Sequence, residues 1–562
     1  MSHIVNRLAD CTDQLCQPGA PFEVIKDSSS HFSIFKNAPA TLRDLIDAGR
    51  QHGDQEFLVY QGERLTFTQF FKRVDALSYH LIHSLGINNG DRVAIAMRNC
   101  PEWMVSYAAI VSVGAVVVPL NSWGSADELH YGLKDSAAKL VFCDQQRSEL
   151  IQSFLSKLNC QAIVARIAQG DIIGDSDFDE IIANNWNKPL PAVSCNTDDI
   201  AQIMYTSGTT GRPKGAVSSH KNICQAIYSF EFHAMCSAMA NPQAIEKMFA
   251  GGFPPCTLLS VPLFHVSGCY AAFLLNLRGG RKTVVMYKWS PEQALKLIST
   301  EKVTIFSAAP SMVLELLRHP DFHSSDTSSL FSLGGGGAAC PPSFKTVINN
   351  TLANAYIGTG YGMTESNAIC ANCSGEAFTY KPTSAGTLSP LVEWQTRDKD
   401  NNILSKGERG EIWLKSVCNV SHYWNKLDAN SKQFDDGWMA TGDIGYLDEE
   451  NFVFVVDRAK DLIIRGGENI YPAEIEAILT SHPAVSEAAI IAEPDEQFGE
   501  IPAAVIRLRA SAELNHNELG EYLLGKLAVF KHPKHIWFCH DELPRNAAGK
   551  VLKSELVQKY IA

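Results

Sequence analysis

The residues of this chain that most plainly invite chemistry lie in "YTSGTTGRPKG", Tyr205 to Gly215. Glycines at 208, 211 and 215 let the backbone curl so that N–H groups converge on an anion. Thr206, Ser207, Thr209 and Thr210 add hydroxyl donors, and Lys214 adds a point charge. The spacing is not the G-x-x-x-x-G-K-[ST] of the common phosphate loop, because here the lysine follows a proline and precedes a glycine. On residue types alone the stretch is either a phosphate cradle of another kind or a flexible Gly/Thr turn. Other chemistry-bearing residues stand apart: Glu365 in "YGMTE", Asp443 in "TGD", Lys460 in "DRAKD" and Lys550 in "PRNAAGK". Taken singly they read as a surface carboxylate, a turn residue and two solvated lysines.

The elements that must position these residues alternate. "DRVAIAM", "AVVVPL" and "KLVFCD" read as strands, separated by helices "PEWMVSYAAIVSVG", with Pro101 in its first turn, and "ADELHYGLKDSAA". "FLVYQGERLTF" reads as a hairpin. "IAQIMYTSGTT" is a strand running into the glycine-rich loop, and "CTLLSVPLFH" a strand ending in His265. From about residue 384 short alternating strands predict a β-rich subdomain. The expected fold class is α/β. A large multi-subdomain N-terminal domain with parallel-rich sheets is followed by a small, mobile α/β C-terminal domain. The expected divisions are an irregular N-terminal arm at 1–36, a large domain at 37–457, a hinge at 458–462 and a small domain at 463–562.

At 562 residues the chain exceeds one ordinary domain. Its net charge of −13 gives no reason to expect nucleic acid as a partner. The 15 cysteines lack paired CxxC spacing, which argues against zinc and for reduced thiols. The N-terminus carries no secretory pattern, and the longest apolar run, Ser106 to Leu120, is too short to span a bilayer. A cytoplasmic location is expected, with peripheral membrane contact and a homo-oligomer both compatible with the composition.

"YTSGTTGRPKG" resembles the signature of the adenylate-forming superfamily, which includes acyl-CoA synthetases, firefly luciferase and nonribosomal peptide adenylation domains. "GYGMTES" at 360–366, "GWMATGD" at 437–443, "DRAKDLIIRGGENIYPAEIE" at 457–476 and "LPRNAAGKVLKSEL" at 543–556 match in the expected order, and "RGGENIYPAEIE" looks most like the acyl-CoA synthetase branch. The resemblance implies ATP, Mg2+ and CoA as cofactor and co-substrates. It implies that Thr206, Ser207, Gly208, Thr209, Thr210, Gly211 and Lys214 wrap the β- and γ-phosphates. Tyr361 and the Gly335–Gly336 backbone would pack on adenine, Thr364 would touch the α-phosphate and Glu365 would hold Mg2+. Asp443, helped by Arg458, would take the ribose hydroxyls. Lys550 would reach the carboxylate and α-phosphate, Lys460 would be the hinge, Gly467 would line the pantetheine path, and His265 would act at the acyl pocket. The last loop departs from the family pattern at Asn546 and Ala548, where a threonine is usual, and the missing hydroxyl would weaken its orientation.

The acid is less specified. His265, Val266, Ser267, the run after Phe306, Gly358, Gly360 and Gly362 are pocket candidates, and their small side chains suit a fatty or related hydrophobic acid. An aryl or steroid-side-chain acid is the alternative. CoA is the expected acceptor, with Lys526, Lys531 and Lys534 facing its phosphates and a carrier protein as the alternative. A non-enzymatic nucleotide-binding scaffold is the remaining reading.

Overall fold

The computed structural model describes residues 3–28, 30, 32–167, 174–206, 212–338, 340–341, 343–352, 355–466, 468–546 and 549–561. Two large sheets and one small sheet dominate the described residues. In the first, five strands between Arg92 and Asp177 run parallel, and Ile200–Thr206 joins them in parallel beside Val116–Pro119. In the second, Glu56–Tyr60, Lys282–Val285, Cys256–Leu259, Ile305–Ala308, Ser332–Gly335 and Tyr356–Tyr361 are parallel neighbours in that order. Parallel sheets bury both faces, and the continuous apolar runs of these strands follow from that.

The Pro101–Ser112 helix is buried along its whole length, and one hydrophobic core extends from it to residues of both large sheets. Proline at its first turn removes an N–H that would have had no partner. Asn99, just before it, ties the sheets together: its amide donates to the Val261 and Met286 carbonyls and its oxygen accepts from Leu263 N–H. The long His220–Ala240 helix starts at a Ser219–Asn222 capping box. Among the described residues no helix is long and apolar enough to cross a membrane.

Two details differ from the sequence expectation, at the N-terminal arm and at His265. Residues His3–Cys16, expected to be irregular, form a helix that buries Ile4, Cys11 and Leu15. Their spacing puts them on one stripe of an otherwise polar helix, which packs on His220–Ala240. The expected β-rich segment is present and extends the second sheet. Gly386–Leu388 pairs with both Ala371–Ser374 and Phe452–Arg458, and Trp438–Leu447 continues outward. His265 does not end a strand. The strand stops at Leu259, and His265 precedes a short helix, Val266–Gly268, that runs into a π-helical turn at Cys269–Leu274. Beyond a turn at Ala459–Asp461, residues from Ile463 onward build a five-stranded sheet with a core of its own.

Candidate active site

The described residues of the glycine-rich stretch lie at the ends of two antiparallel strands. Ile200–Thr206 pairs antiparallel with Lys214–Ser219, and Thr206 stands opposite Lys214. Gly215 is required by packing, since a Cβ there would come 2.7 Å from Ile203 Cγ2. Ser207, Gly208, Thr209, Thr210 and Gly211 lie outside the described residues. These strand ends face Glu365, which sits in a tight turn, Thr364–Ser366, just after the Tyr356–Tyr361 strand. The Glu365 carboxylate is buried and its Oε1 accepts from Tyr423 OH at 2.8 Å and Thr206 Oγ1 at 3.4 Å. Lys214 Nζ lies 4.7 Å from the centre of the Tyr423 ring. Thus one buried carboxylate, one lysine and several hydroxyls converge, a set suited to a hard cation and phosphate oxygens.

Only Gly362, Met363 and Thr364 separate Glu365 from Tyr361, and Tyr361 begins a second cluster. Its hydroxyl donates to Asp443 Oδ2 at 2.6 Å. Burial first, then the neighbouring Asp443 charge, raises the Tyr361 pKa well above the ordinary phenol value. Asp443 pairs in register with Arg458 across two antiparallel strands, and Arg458 Nε lies 3.4 Å from Asp443 Oδ1. Gly335 and Gly336 part company here. Gly335 is packed, with Cys340 Sγ 2.7 Å from where a Cβ would stand, whereas Gly336 faces open space.

Lys550 reaches this second cluster from the far end of the chain. Burial and repulsion by Arg458 pull its pKa down to about 8, against the attraction of Asp443 and Asp461. Its loop is tightly tied. Asn546 Oδ1 accepts Lys550 N–H, Asn546 N–H donates to Lys550 O, both at 2.9 Å, and Arg545 Nη1 donates to Gly549 O at 2.6 Å. The amide of Asn546 therefore supplies the acceptor that the sequence reading found missing, while Ala548 lies outside the described residues. Gly549 adopts φ +80°, and a Cβ there would stand 3.5 Å from Ala309 Cβ, so the loop seats against the start of the Pro310–Leu317 helix.

The acyl-pocket candidates divide. Ser307, Gly334, Gly358 and Ser374 are register partners across four strands and share one sheet face. Ser307 is exposed although its strand is interior to the sheet, so this face opens onto space. Gly362 does not open onto it: a Cβ there would lie 2.3 Å from the Ala368 carbonyl. His265 makes no side-chain hydrogen bond among the described residues and packs on Phe264, and burial pulls its pKa down to about 4, leaving a neutral imidazole. Lys460 is exposed in the turn after Arg458, and Gly467 lies outside the described residues. Lys531 and Lys534 are held by Glu474 and Asp495, and Lys526 lies over the Tyr522 ring. Sequence reasoning missed Tyr423 and the orienting role of Asn546. Tyr423 carried no signal, being 58 residues from the carboxylate it binds. Asn546 was visible inside "PRNAAGK", but its partner was not.

Comparisons with known proteins identify the family. The AMP-binding enzyme family matches residues 45–424, and the AMP-binding enzyme C-terminal domain matches residues 474–550. The chain is 33% identical over 499 residues to long-chain-fatty-acid–CoA ligase FadD13 of Mycobacterium tuberculosis, covering 89% of this chain and 94% of that protein. It is 32% identical over 511 residues to 2-succinylbenzoate–CoA ligase of Bacillus cereus, covering 90% and 95%. The solved structure of o-succinylbenzoate CoA synthetase (MenE) from Bacillus subtilis, in complex with the acyl-adenylate intermediate OSB-AMP, superposes with TM-score 0.75 at 29% identity, covering 91% and 97%. The chain belongs to the AMP-binding enzyme family and is an AMP-forming acyl- or aryl-CoA ligase of the adenylate-forming superfamily.

Proposed function

We propose that this ligase activates an apolar carboxylic acid, a medium- or long-chain fatty acid, as its acyl-adenylate and then transfers the acyl group to CoA. The observation that carries the reading is the position of Lys550, half-buried beside Asp443 and Arg458, with the Glu365–Lys214 cluster a few residues of chain away from Tyr361. In the first half-reaction a carboxylate oxygen attacks the α-phosphorus of ATP, the bond to the β-phosphate oxygen breaks, and pyrophosphate leaves. Both reactants are anions. Lys550 and Lys214 offset their repulsion and the charge of the transition state. No general base is required, because the acid is already ionised near neutrality. Asp443, its Oδ2 taken by Tyr361, is placed to accept from the ribose hydroxyls. Glu365, with the hydroxyl groups of Thr206 and Tyr423 beside it, fits Mg2+, which takes one or two carboxylates and fills its remaining positions with phosphate oxygens and water. When bound, the ion neutralises phosphate charge. In the second half-reaction the CoA sulfur bonds to the acyl carbonyl carbon, the thiol proton is lost, and AMP leaves.

An aryl acid is the second reading. It is favoured by the 2-succinylbenzoate ligases among the relatives and by the hydroxyl groups of Ser307 and Ser374 on the open sheet face. Pyrophosphate release with ATP, CoA and a panel of fatty and aryl acids separates the two, and silence across the panel refutes both. Lys550→Ala should slow acyl-adenylate formation by about a hundredfold or more. Thioester formation from supplied acyl-adenylate should be spared, and equal loss in both half-reactions would overturn the assigned role.

A further inference from the structure

The open sheet face has a floor of small residues and a definite end. Phe306, Leu333, Ile357 and Cys373 point to the opposite face and are fully packed. On the open face the row Ser307–Gly334–Gly358–Ser374 is followed, two residues toward the start of each parallel strand, by Ile305–Ser332–Tyr356. Tyr356 is therefore the one ring in a floor of otherwise small or aliphatic side chains. It lies four residues from Gly360, roughly 13 Å along the strand. Its hydroxyl is tied to Ser237 of the His220–Ala240 helix and to Ser374 at 3.4 Å. His233 stands one turn before Ser237 on the same side of that helix, with Nε2 enclosed and without a hydrogen-bond partner among the described residues. Next to Tyr356 in the chain, Ala355 lines a groove of about 670 Å³ that also takes in Ile305 of this face, Phe331, Leu352, Phe249 and Phe253. The Phe331 ring lies parallel to that of Tyr356, with centroids 6.0 Å apart.

We propose that Tyr356, latched by Ser237, is the stopper that sets the length of acid this enzyme accepts, an inference that rests on the ligase reading above. The channel from Gly360 to Tyr356 holds the acyl chain, and the tyrosine ring separates its end from the outer groove. The hydroxyl ties keep the ring across the channel, and the ring itself blocks it.

The test compares pyrophosphate release by the wild type, Tyr356→Ala, Tyr356→Leu and Tyr356→Phe with hexanoate, decanoate and hexadecanoate, each read as kcat/KM. If the enzyme is selective for aryl acids, para-alkylbenzoates of growing tail replace the fatty series. The wild type should fall off sharply at the longest acid. Tyr356→Ala should raise the ratio of longest to middle acid by about tenfold or more, Tyr356→Leu should raise it less, and Tyr356→Phe, which keeps the ring and loses only its ties, should raise it least. Tm and the rate with the shortest acid establish that each variant is folded. An unchanged ratio in folded Ala or Leu variants overturns the proposal, as does a wild type that uses the longest acid as well as the middle one. A wild type that releases no pyrophosphate with any acid instead removes the ligase reading beneath it.

Discussion

The Lys550 ammonium sits among Asp443, Asp461, Arg458 and Lys460, and burial is the largest influence on it. A lysine held at a pKa of about 8 is charged below that pH and neutral above it. The role in adenylation proposed for Lys550 needs the charged form. The kcat/KM for ATP, which reports the free enzyme, should therefore decline as pH rises through about 8. Lys550→Arg, always protonated in this range, should be slower but should lose that decline. A wild-type profile flat from pH 7 to about 9.5 would contradict the assignment. At this scale the sequence was informative where a residue acts through a motif. Glu365, Asp443 and Lys550 were each placed in a named cluster by the chain itself. Tyr423 and Ser237 were not, because a hydrogen bond between distant segments leaves no trace in local spacing.

Elements place those residues by close backbone approach. The turn carrying Thr364 and Glu365 folds back on itself, with Asn367 and Ala368 both at positive φ, and Gly362 lies directly against the Ala368 carbonyl. A methyl group there cannot be accommodated without moving backbone. Gly362→Ala should cost about 1–3 kcal/mol of stability, read as a lower Tm, and should reduce adenylation beyond what the lost stability explains. Normal Tm and activity would show that the turn is not held in this way. The alternation of strand and helix and the Pro101 start were legible because each depends on residues within a turn or two. The His3–Cys16 helix was not legible. Its apolar stripe is short, and its stability comes from the helix it lies against.

At the scale of the whole molecule, two folding units must meet for the site to be complete, since Lys550 belongs to the second and Tyr361 and Glu365 to the first. The strand Phe452–Arg458 ends in the first unit, Ile463–Arg465 begins the sheet of the second, and Ala459–Asp461 forms the turn between them. If rotation about Lys460 brings the second unit round for the CoA step, stiffening that turn should separate the half-reactions. Lys460→Pro should lower thioester formation from supplied acyl-adenylate about tenfold while adenylation changes less. Parallel losses, measured separately, would argue against a hinge there. The sequence by itself determined the family and the α/β architecture, and it located the motifs proposed here to hold phosphate, ribose and the adenylating lysine, because each is written in contiguous residues. Only the tertiary structure decided which face of the second sheet is open, that Tyr356 stands on it tied to Ser237, that Asn546 secures Lys550 and that Gly362 packs against the Ala368 carbonyl. Those depend on strand register and on contacts between segments far apart in the chain, where a side chain's surroundings are set by the fold and not by its neighbours in sequence.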